Sequence, residues 1–127
     1  MGRMFLAVLL FCACGLAQDL PEAPSAHRFW DRTNKILFLS HAALEATDFG
    51  ITHYNLSHGG RELDSMGKAL CESGTAGQLV FFGGRMAGVA GITYALHRLG
   101  LHKLERGFFV VADVDSSYGV IYSFAHR

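Results

Sequence analysis

Charged residues are scarce in this chain of 127 residues: they make up 17% of it, against about a quarter in an average soluble domain. Lysine plus arginine and aspartate plus glutamate each number 11, so neither sign of charge is in excess. The sequence therefore has no basic field that would attract nucleic acid, and we expect no nucleic-acid partner. Half of the residues are hydrophobic, and the length allows one domain at most.

Cysteine is also rare, and two of the three cysteines lie in an N-terminal region with the features of a secretory signal. Arg3 is followed by an apolar stretch and then by small residues, which predicts a signal peptide over residues 1–17 with cleavage after Ala17. An uncleaved anchor and a lipoprotein signal are the alternatives, and the second is disfavoured because Phe11 stands where a leucine is usual. Cys71 is the only cysteine after the signal, so we expect no internal disulfide.

The rest of the chain predicts a linker and three long helices. Both prolines, Pro21 and Pro24, lie within residues 18–33 and cannot propagate a helix, so this segment is expected to be an extended polar linker. A helical membrane domain is predicted over residues 34–127. Its apolar helices are expected at about residues 34–57, 74–100 and 104–124.

The first apolar segment carries its polar residues on one narrow face. At about 100° per residue, five polar side chains fall within an arc of about 80°. They are His41, Glu45, Asp48, Thr52 and Asn55. A helix on the surface of a soluble domain has a wide polar face instead. The pattern therefore predicts that the polar face of this helix is the buried one and that lipid surrounds the other faces.

The second segment gives the strongest evidence for a membrane-spanning helix. Residues 73–97 contain one formal charge, Arg85, and are long enough to cross the hydrocarbon core of a bilayer. Small residues recur along one face, and glycines at such a spacing let two membrane helices approach closely. This predicted helix-packing face consists of Gly77, Gly84, Gly88, Gly91 and Ala95. We expect it to mediate association with a second copy or with another protein.

A βαβ unit is the alternative interpretation of the same region. Residues 78–82 would form a strand, 83–84 a turn, 85–99 a helix and 108–113 a returning strand. The glycines do not have the G-x-G-x-x-G spacing that binds a pyrophosphate. A parallel sheet also needs further strands, which the upstream residues do not supply.

The third segment adds Asp113 and Asp115 to the predicted membrane domain. A charged group at the bilayer centre costs at least about 2.5–3.5 kcal/mol, so such groups should face the interior of the bundle and pair. We expect Arg85 to bridge Asp48 and one aspartate of the third helix, with Glu45 partly protonated or solvated. The predicted intramembrane polar cluster consists of His41, Glu45, Asp48, Thr52, Arg85, Asp113 and Asp115.

This cluster is compatible with more than one function. It could hold the helices in register, since buried ionic groups are sometimes kept for specificity. It could instead serve a small transport or proton-coupling component that uses Glu45, Asp48 and Arg85. A metal site of His41, Glu45 and Asp48 is disfavoured because no second helix supplies a histidine, and we expect no metal and no cofactor.

The other histidines predict no site. His53 and His58 are five residues apart, as are His97 and His102, so neither pair shares a helix face. We expect them at the membrane interface or in loops. Cys71 has no assignable catalytic partners, and we expect the protein not to be an enzyme.

The end of the first apolar segment resembles a known family. Asp48, Thr52, Leu56, Gly59 and Glu62 follow one another from a helix into a polar loop. This order is similar to that of a family of small bacterial multi-spanning membrane proteins of unknown function. In that family an Asn-Pro pair follows the glutamate and a basic residue lies in the next apolar helix. Here Asp64 and Ser65 replace the pair, and Arg85 would be the basic residue. The resemblance implies a membrane bundle without an assigned activity.

Together these observations predict an all-α protein, a three-helix apolar bundle in the bacterial cytoplasmic membrane, with the periplasm or secretion as the alternative location. The expected partners are the lipid bilayer and another helix that packs on the glycine-lined face, in a homo- or hetero-oligomer. The expected function is that of a non-enzymatic structural or accessory component. A transport or proton-coupling component is the first alternative, and a soluble exported helical or βαβ-containing domain is the second.

Overall fold

The regular structure of the described residues is entirely helical. The structure is a computed structural model that describes residues 27–61 and 67–125. These residues form α1 (Arg32–Ser57), α2 (Lys68–Cys71), α3 (Thr75–Arg98) and α4 (His102–Ala125). The predicted all-α class is confirmed. The βαβ alternative is wrong, because residues 78–82 lie within α3 and residues 108–113 lie within α4.

The three long helices agree with the predicted ones to within two residues at each end. The short helix α2 was not predicted. The predicted signal peptide (1–17) lies outside the described residues, as do residues 18–26 of the predicted linker, Glu62 and residues 126–127. The predicted linker ends too late: it was expected to extend to residue 33, but α1 begins at Arg32.

The start of α1 is fixed by Asp31. Its backbone is extended, and its Oδ1 accepts a hydrogen bond of 2.8 Å from the backbone N–H of Asn34. The first turn of a helix leaves backbone N–H groups without partners, and a capping aspartate satisfies one of them. This cap explains why the helix begins at Arg32 and not at residue 34.

The turn between α3 and α4 is a Schellman motif around Gly100. The N–H of Gly100 donates to the carbonyl of His97 at 3.0 Å, and the N–H of Leu101 donates to that of Leu96 at 2.9 Å. Gly100 has φ 73°, a left-handed conformation that glycine adopts without a steric penalty. The chain therefore reverses within three residues and brings the end of α3 beside the start of α4.

The contacts between the long helices give their directions. Asn34 near the start of α1 bonds to Glu105 near the start of α4. Asn55 near the end of α1 donates to the carbonyl of Ser123 near the end of α4 at 3.1 Å. Thus α1 and α4 are parallel, and α3 runs antiparallel to both because α4 follows it through the reverse turn. The result is a three-helix bundle whose two ends carry different sets of residues.

The interior of this bundle is mostly polar, and many large apolar side chains lie on its surface. The buried hydrophobic residues of the described ranges are Cys71, Phe82 and Phe109. The buried polar residues are Asn34, His41, Glu45, Asp48, Thr52, Gln78, Thr93, Glu105 and Ser116. By contrast, Leu39 is 65% exposed, Val114 64% and Ile121 67%. The polar face of α1 is therefore its buried face, as the spacing of its side chains predicts.

One helix of the described residues, α3, is long and apolar enough to cross a membrane by length and composition. Its most apolar window has a mean hydropathy of 1.4, and 11% of that window is buried. Three such helices were expected. Among the described residues, α1 and α4 do not meet the composition criterion. All three helices have the necessary length, because 24 residues extend about 36 Å and a bilayer core is about 30 Å thick.

The predicted glycine-lined face of α3 divides into two parts. Gly77 faces the turn after α2, where a side chain would meet the carbonyl of Leu70. A Cβ added at Gly84, Gly88 or Gly91 would have no neighbour within 4 Å. These three glycines and Ala95 are exposed. Association of this exposed part with another chain stays a prediction.

Candidate functional site

Ionisable side chains from all three long helices meet in the middle of the bundle. We call this group the central cluster. It consists of His41, Glu45 and Asp48 from α1, Arg85 from α3, and Asp113, Asp115 and Ser116 from α4. The α1 members lie at helical spacing on one face, which is why they reach the same interior region. Thr52 is buried further along that face, with 4% of its surface exposed.

The Arg85 guanidinium lies at the centre of this cluster. Its Nη2 is 3.0 Å from Asp115 Oδ2 and 3.2 Å from Glu45 Oε1. Its Nη1 is 3.8 Å from Asp48 Oδ2. The structure thus brings Arg85 to Asp48 and to one aspartate of α4, the arrangement expected from the sequence. Glu45 is 1% exposed, so solvation of its carboxylate, one of the two expected states, does not apply.

A serine hydroxyl completes the contact between Arg85 and Glu45. Ser116 Oγ accepts a hydrogen bond of 3.3 Å from Arg85 Nη2 and donates one of 2.5 Å to Glu45 Oε1. Ser116 is fully buried. Ser116 was not predicted as a site residue, because a serine in an apolar helix gives no pattern that distinguishes it from a helix-packing residue.

His41 lies on the other side of Glu45 without well-formed hydrogen bonds. Its Nδ1 is 3.3 Å from Asp113 Oδ1 and its Nε2 is 4.0 Å from Glu45 Oε1. These separations suit ion pairs, but the atoms are not aligned for hydrogen bonds. Both ring nitrogens, Glu45 Oε2 and Asp113 Oδ1 are buried without a hydrogen-bond partner. Such atoms are costly in an apolar interior, so this part of the cluster has unused capacity for a proton or a polar ligand.

Asp48 approaches the backbone of α4 where a glycine makes room for it. A Cβ added at Gly119 would lie 2.8 Å from Asp48 Oδ2. Ser123 Oγ donates to Asp48 Oδ1 at 3.2 Å. The small residues of α4 therefore allow the α1 carboxylate to reach the helix interface.

A second group of ionisable residues lies at the end of the bundle where α1 and α4 begin. We call it the histidine cluster: His27 before α1, His97 in the last turn of α3, and His102 and Glu105 in the first turn of α4. His97 Nδ1 and His102 Nδ1 are each 3.0 Å from Glu105 Oε2, and His27 Nε2 is 3.6 Å from the same oxygen. One ligand atom of each of the four residues lies within 4.8 Å of all the others.

Neighbouring residues hold the histidine cluster in place. The Asn34 side-chain amide donates to Glu105 Oε1 and, at 2.8 Å, to the carbonyl of Phe29. Asp31 Oδ2 lies 3.2 Å from His27 Nδ1 and accepts a hydrogen bond of 2.7 Å from Arg106. The backbone N–H of Asn34 and the Arg106 charge lower the pKa of Asp31, against an opposing effect of burial. The Asp31 carboxylate is therefore ionised near neutral pH and can accept the Nδ1–H of His27.

The histidine cluster was missed in the sequence because its members come from three segments. His97 and His102 were expected to lie at the interface or in loops, and the Schellman turn instead brings both of them to Glu105. The spacing of His102 and Glu105, three residues apart on one helix, was the one available signal. His53 and His58 lie away from this cluster. His53 Nδ1 is 2.9 Å from Gln78 Oε1, and His58 Nδ1 is 2.8 Å from the carbonyl of Tyr54.

Comparisons with protein-family models, with curated proteins and with solved structures found no match to this chain. The resemblance to small bacterial multi-spanning membrane proteins therefore stays a prediction. The function is inferred below from the two clusters and from the surface of the bundle.

Proposed function

We propose that the protein is a non-enzymatic structural or accessory component of a bacterial cytoplasmic membrane, with α1, α3 and α4 as its membrane-spanning helices. The observation that carries this proposal is the reversed distribution of polarity, with buried carboxylates and exposed leucine, isoleucine and valine. Water-soluble monomers do not expose apolar surface along the length of every helix. Lipid is the solvent in which such a surface is stable, and ionisable groups in lipid turn inward and pair.

The composition of α1 is consistent with this environment. A mean hydropathy counts every residue of a helix equally, whichever way its side chain points. Glu45 and Asp48 lower the value for α1, yet both are buried, with 1% and 5% of their surfaces exposed. The lipid-facing surface of α1 is formed by residues such as Ile36 and Leu39, which are more than half exposed. The polar residues of α1 are therefore compatible with a membrane span.

The central cluster supports a structural role within this proposal. Arg85 on α3 makes its contacts with Glu45 and Asp48 on α1 and with Asp115 on α4, so one side chain links all three helices. An ionic contact of this kind favours one rotation of each helix about its axis, the one that turns these side chains toward one another.

Alkaline carbonate washing of membranes that contain the tagged protein tests the proposed location. We expect the protein to stay with the lipid pellet and to float with lipid in a density gradient, because its apolar surface is buried in the bilayer. A peripheral protein of the same membranes is the control and should be released. Release of this protein into the wash, in a folded and monodisperse form, would contradict the proposal and favour a soluble exported domain.

A second candidate function, proton coupling, is favoured by the unpaired atoms near His41. The central cluster contains four carboxylates, and its cations are Arg85 and, when protonated, His41. Carboxylates therefore outnumber the basic groups of the central cluster even when His41 is counted as basic. His41 lies 3.3 Å from Asp113 and 4.0 Å from Glu45. Arg85 lies within 4 Å of both Glu45 and Asp48, so it connects Asp48 to this series of polar groups.

Proton flux into proteoliposomes distinguishes this candidate from a purely structural role. Under an imposed membrane potential, a proton-coupling component should acidify the lumen faster than empty vesicles do, and Glu45→Gln should abolish the difference. Glu72→Gln is the matched control, because Glu72 is exposed in the turn after α2 and should leave the flux unchanged. Equal rates for the wild type and for empty vesicles would overturn proton coupling and leave the structural role.

A further inference from the structure

In the histidine cluster, a ring nitrogen of a neutral His27 faces a carboxylate oxygen of Glu105 with no hydrogen between them. His27 Nδ1 lies near two acceptors, Asp31 Oδ2 at 3.2 Å and the carbonyl of Arg28 at 3.0 Å, so the neutral ring carries its hydrogen on Nδ1. Its Nε2 then presents a lone pair to Glu105 Oε2, 3.6 Å away. That nitrogen is buried and has no hydrogen-bond partner. Two lone pairs that face each other in a buried site repel, and a proton or a metal ion shared between them removes the repulsion.

The spacing of the four residues fits a metal ion. Two ligands of a tetrahedral zinc ion, each about 2.0–2.1 Å from the metal, lie about 3.4 Å from each other. The three histidine nitrogens are 3.0, 3.0 and 3.6 Å from Glu105 Oε2. All four donor atoms lie within 4.8 Å of one another, so modest side-chain rotations would place them around one ion. The site is also sheltered, because Glu105 is fully buried and the histidine side chains are 16–18% exposed.

The donor set narrows the class of metal. Three imidazoles and one carboxylate suit divalent ions of borderline softness, above all Zn²⁺, whereas Mg²⁺ and Ca²⁺ prefer oxygen ligands throughout. Four protein donors fill a tetrahedral shell and leave no position for a substrate, which is typical of a structural site.

Two members of the cluster, His27 and Glu105, have outer contacts of the kind that metal ligands have. A histidine ligand usually donates its other ring N–H to a carboxylate or carbonyl, which fixes the tautomer and orients the ring. Asp31 and the carbonyl of Arg28 occupy this position for His27. The Asn34 amide holds the second oxygen of Glu105, so that Oε2 stays directed at the three imidazoles.

We propose that His27, His97, His102 and Glu105 form a closed binding site for one divalent transition-metal ion of the Zn²⁺ class. The ion fastens the segment before α1 to the turn between α3 and α4, and so closes this end of the bundle. The proposal does not depend on the membrane location, because it uses only contacts within the described chain.

Binding of Co²⁺ to the metal-stripped full-length protein, purified through a tag that contains no histidine, tests the site. We expect one Co²⁺ per chain, with the strong visible absorption of four-coordinate cobalt, and displacement of Co²⁺ by Zn²⁺. His102→Gln and Glu105→Gln should each weaken binding by more than about 100-fold, and the supporting variant Asp31→Asn by about 10- to 100-fold. His58→Gln, at an exposed turn away from the cluster, should bind as the wild type does.

Several results would overturn the proposal. One is wild-type binding of less than one ion per chain at saturating Co²⁺, and another is unchanged affinity in the ligand variants. A loss of affinity in His58→Gln equal to that in His102→Gln would show unspecific histidine binding. If the ligand variants do not fold, X-ray absorption spectroscopy of the zinc-bound wild type tests the site by identifying the atoms that coordinate zinc. Three imidazole nitrogens and one carboxylate oxygen around zinc support the site, and a shell made mainly of water oxygens contradicts it.

Discussion

Replacing Arg85 by glutamine should destabilise the bundle by about 3–5 kcal/mol, the range found when one partner of a buried ion pair is removed. Arg85 is 25% exposed at its side chain, and its guanidinium is within 4 Å of Glu45, Asp48 and Asp115. The variant removes the guanidinium charge that these three carboxylates share. We therefore expect a large drop in the fraction of folded protein recovered from membranes and in its thermal unfolding temperature in detergent.

Arg98→Gln is the matched control for this prediction. Arg98 ends the same helix but is exposed, and exposed substitutions usually change stability by no more than about 0.5 kcal/mol. The double variant Arg85→Gln with Glu45→Gln should recover part of the loss, because one of the unpaired carboxylates is removed as well. Equal stabilities of Arg85→Gln and Arg98→Gln would show that the ionic contacts do not hold the three helices together.

The sequence was sufficient to predict α1 and the side on which its polar residues lie. His41, Glu45, Asp48 and Thr52 are spaced so that any helix places them on one face, and an apolar remainder indicates which face is buried. The ends of the helices were less predictable, since they depend on single contacts. Asp31 extends α1 by its hydrogen bond to Asn34, a cap whose residue types also occur in ordinary loops.

The histidine cluster required a tertiary structure to be found. Its members lie up to 78 positions apart, from His27 to Glu105, and no periodicity within one helix connects them. His97 and His102 meet because Gly100 adopts a left-handed conformation, and His27 joins them because Asn34 and Asp31 hold the preceding segment against α4. Contacts of this kind are set by the packing of helices, which composition and spacing do not encode.

Replacing Val114 by lysine should prevent stable insertion of the bundle, at a cost of at least about 2.5–3.5 kcal/mol. Val114 is 64% exposed and lies near the midpoint of α4, about 17 Å from either end. In the proposed membrane location this side chain contacts lipid at the bilayer centre, where an ammonium group is least stable. The measurement is the fraction of the variant that resists carbonate extraction and stays folded in detergent.

If water surrounded the helix, Val114→Lys would be expected not to destabilise it. The substitution therefore tests whether lipid or water surrounds the bundle. Lysine has a higher helix propensity than valine, so an exposed Val114→Lys in a soluble helix should be neutral or slightly stabilising. Val114→Ala keeps the site apolar and controls for the loss of the valine side chain. Ile36→Lys controls for depth, because Ile36 is 57% exposed near the start of α1, where a lysine can extend its ammonium group to the membrane surface. A membrane bundle should therefore tolerate Ile36→Lys better than Val114→Lys, whereas equal tolerance of both would place water, and not lipid, around these helices.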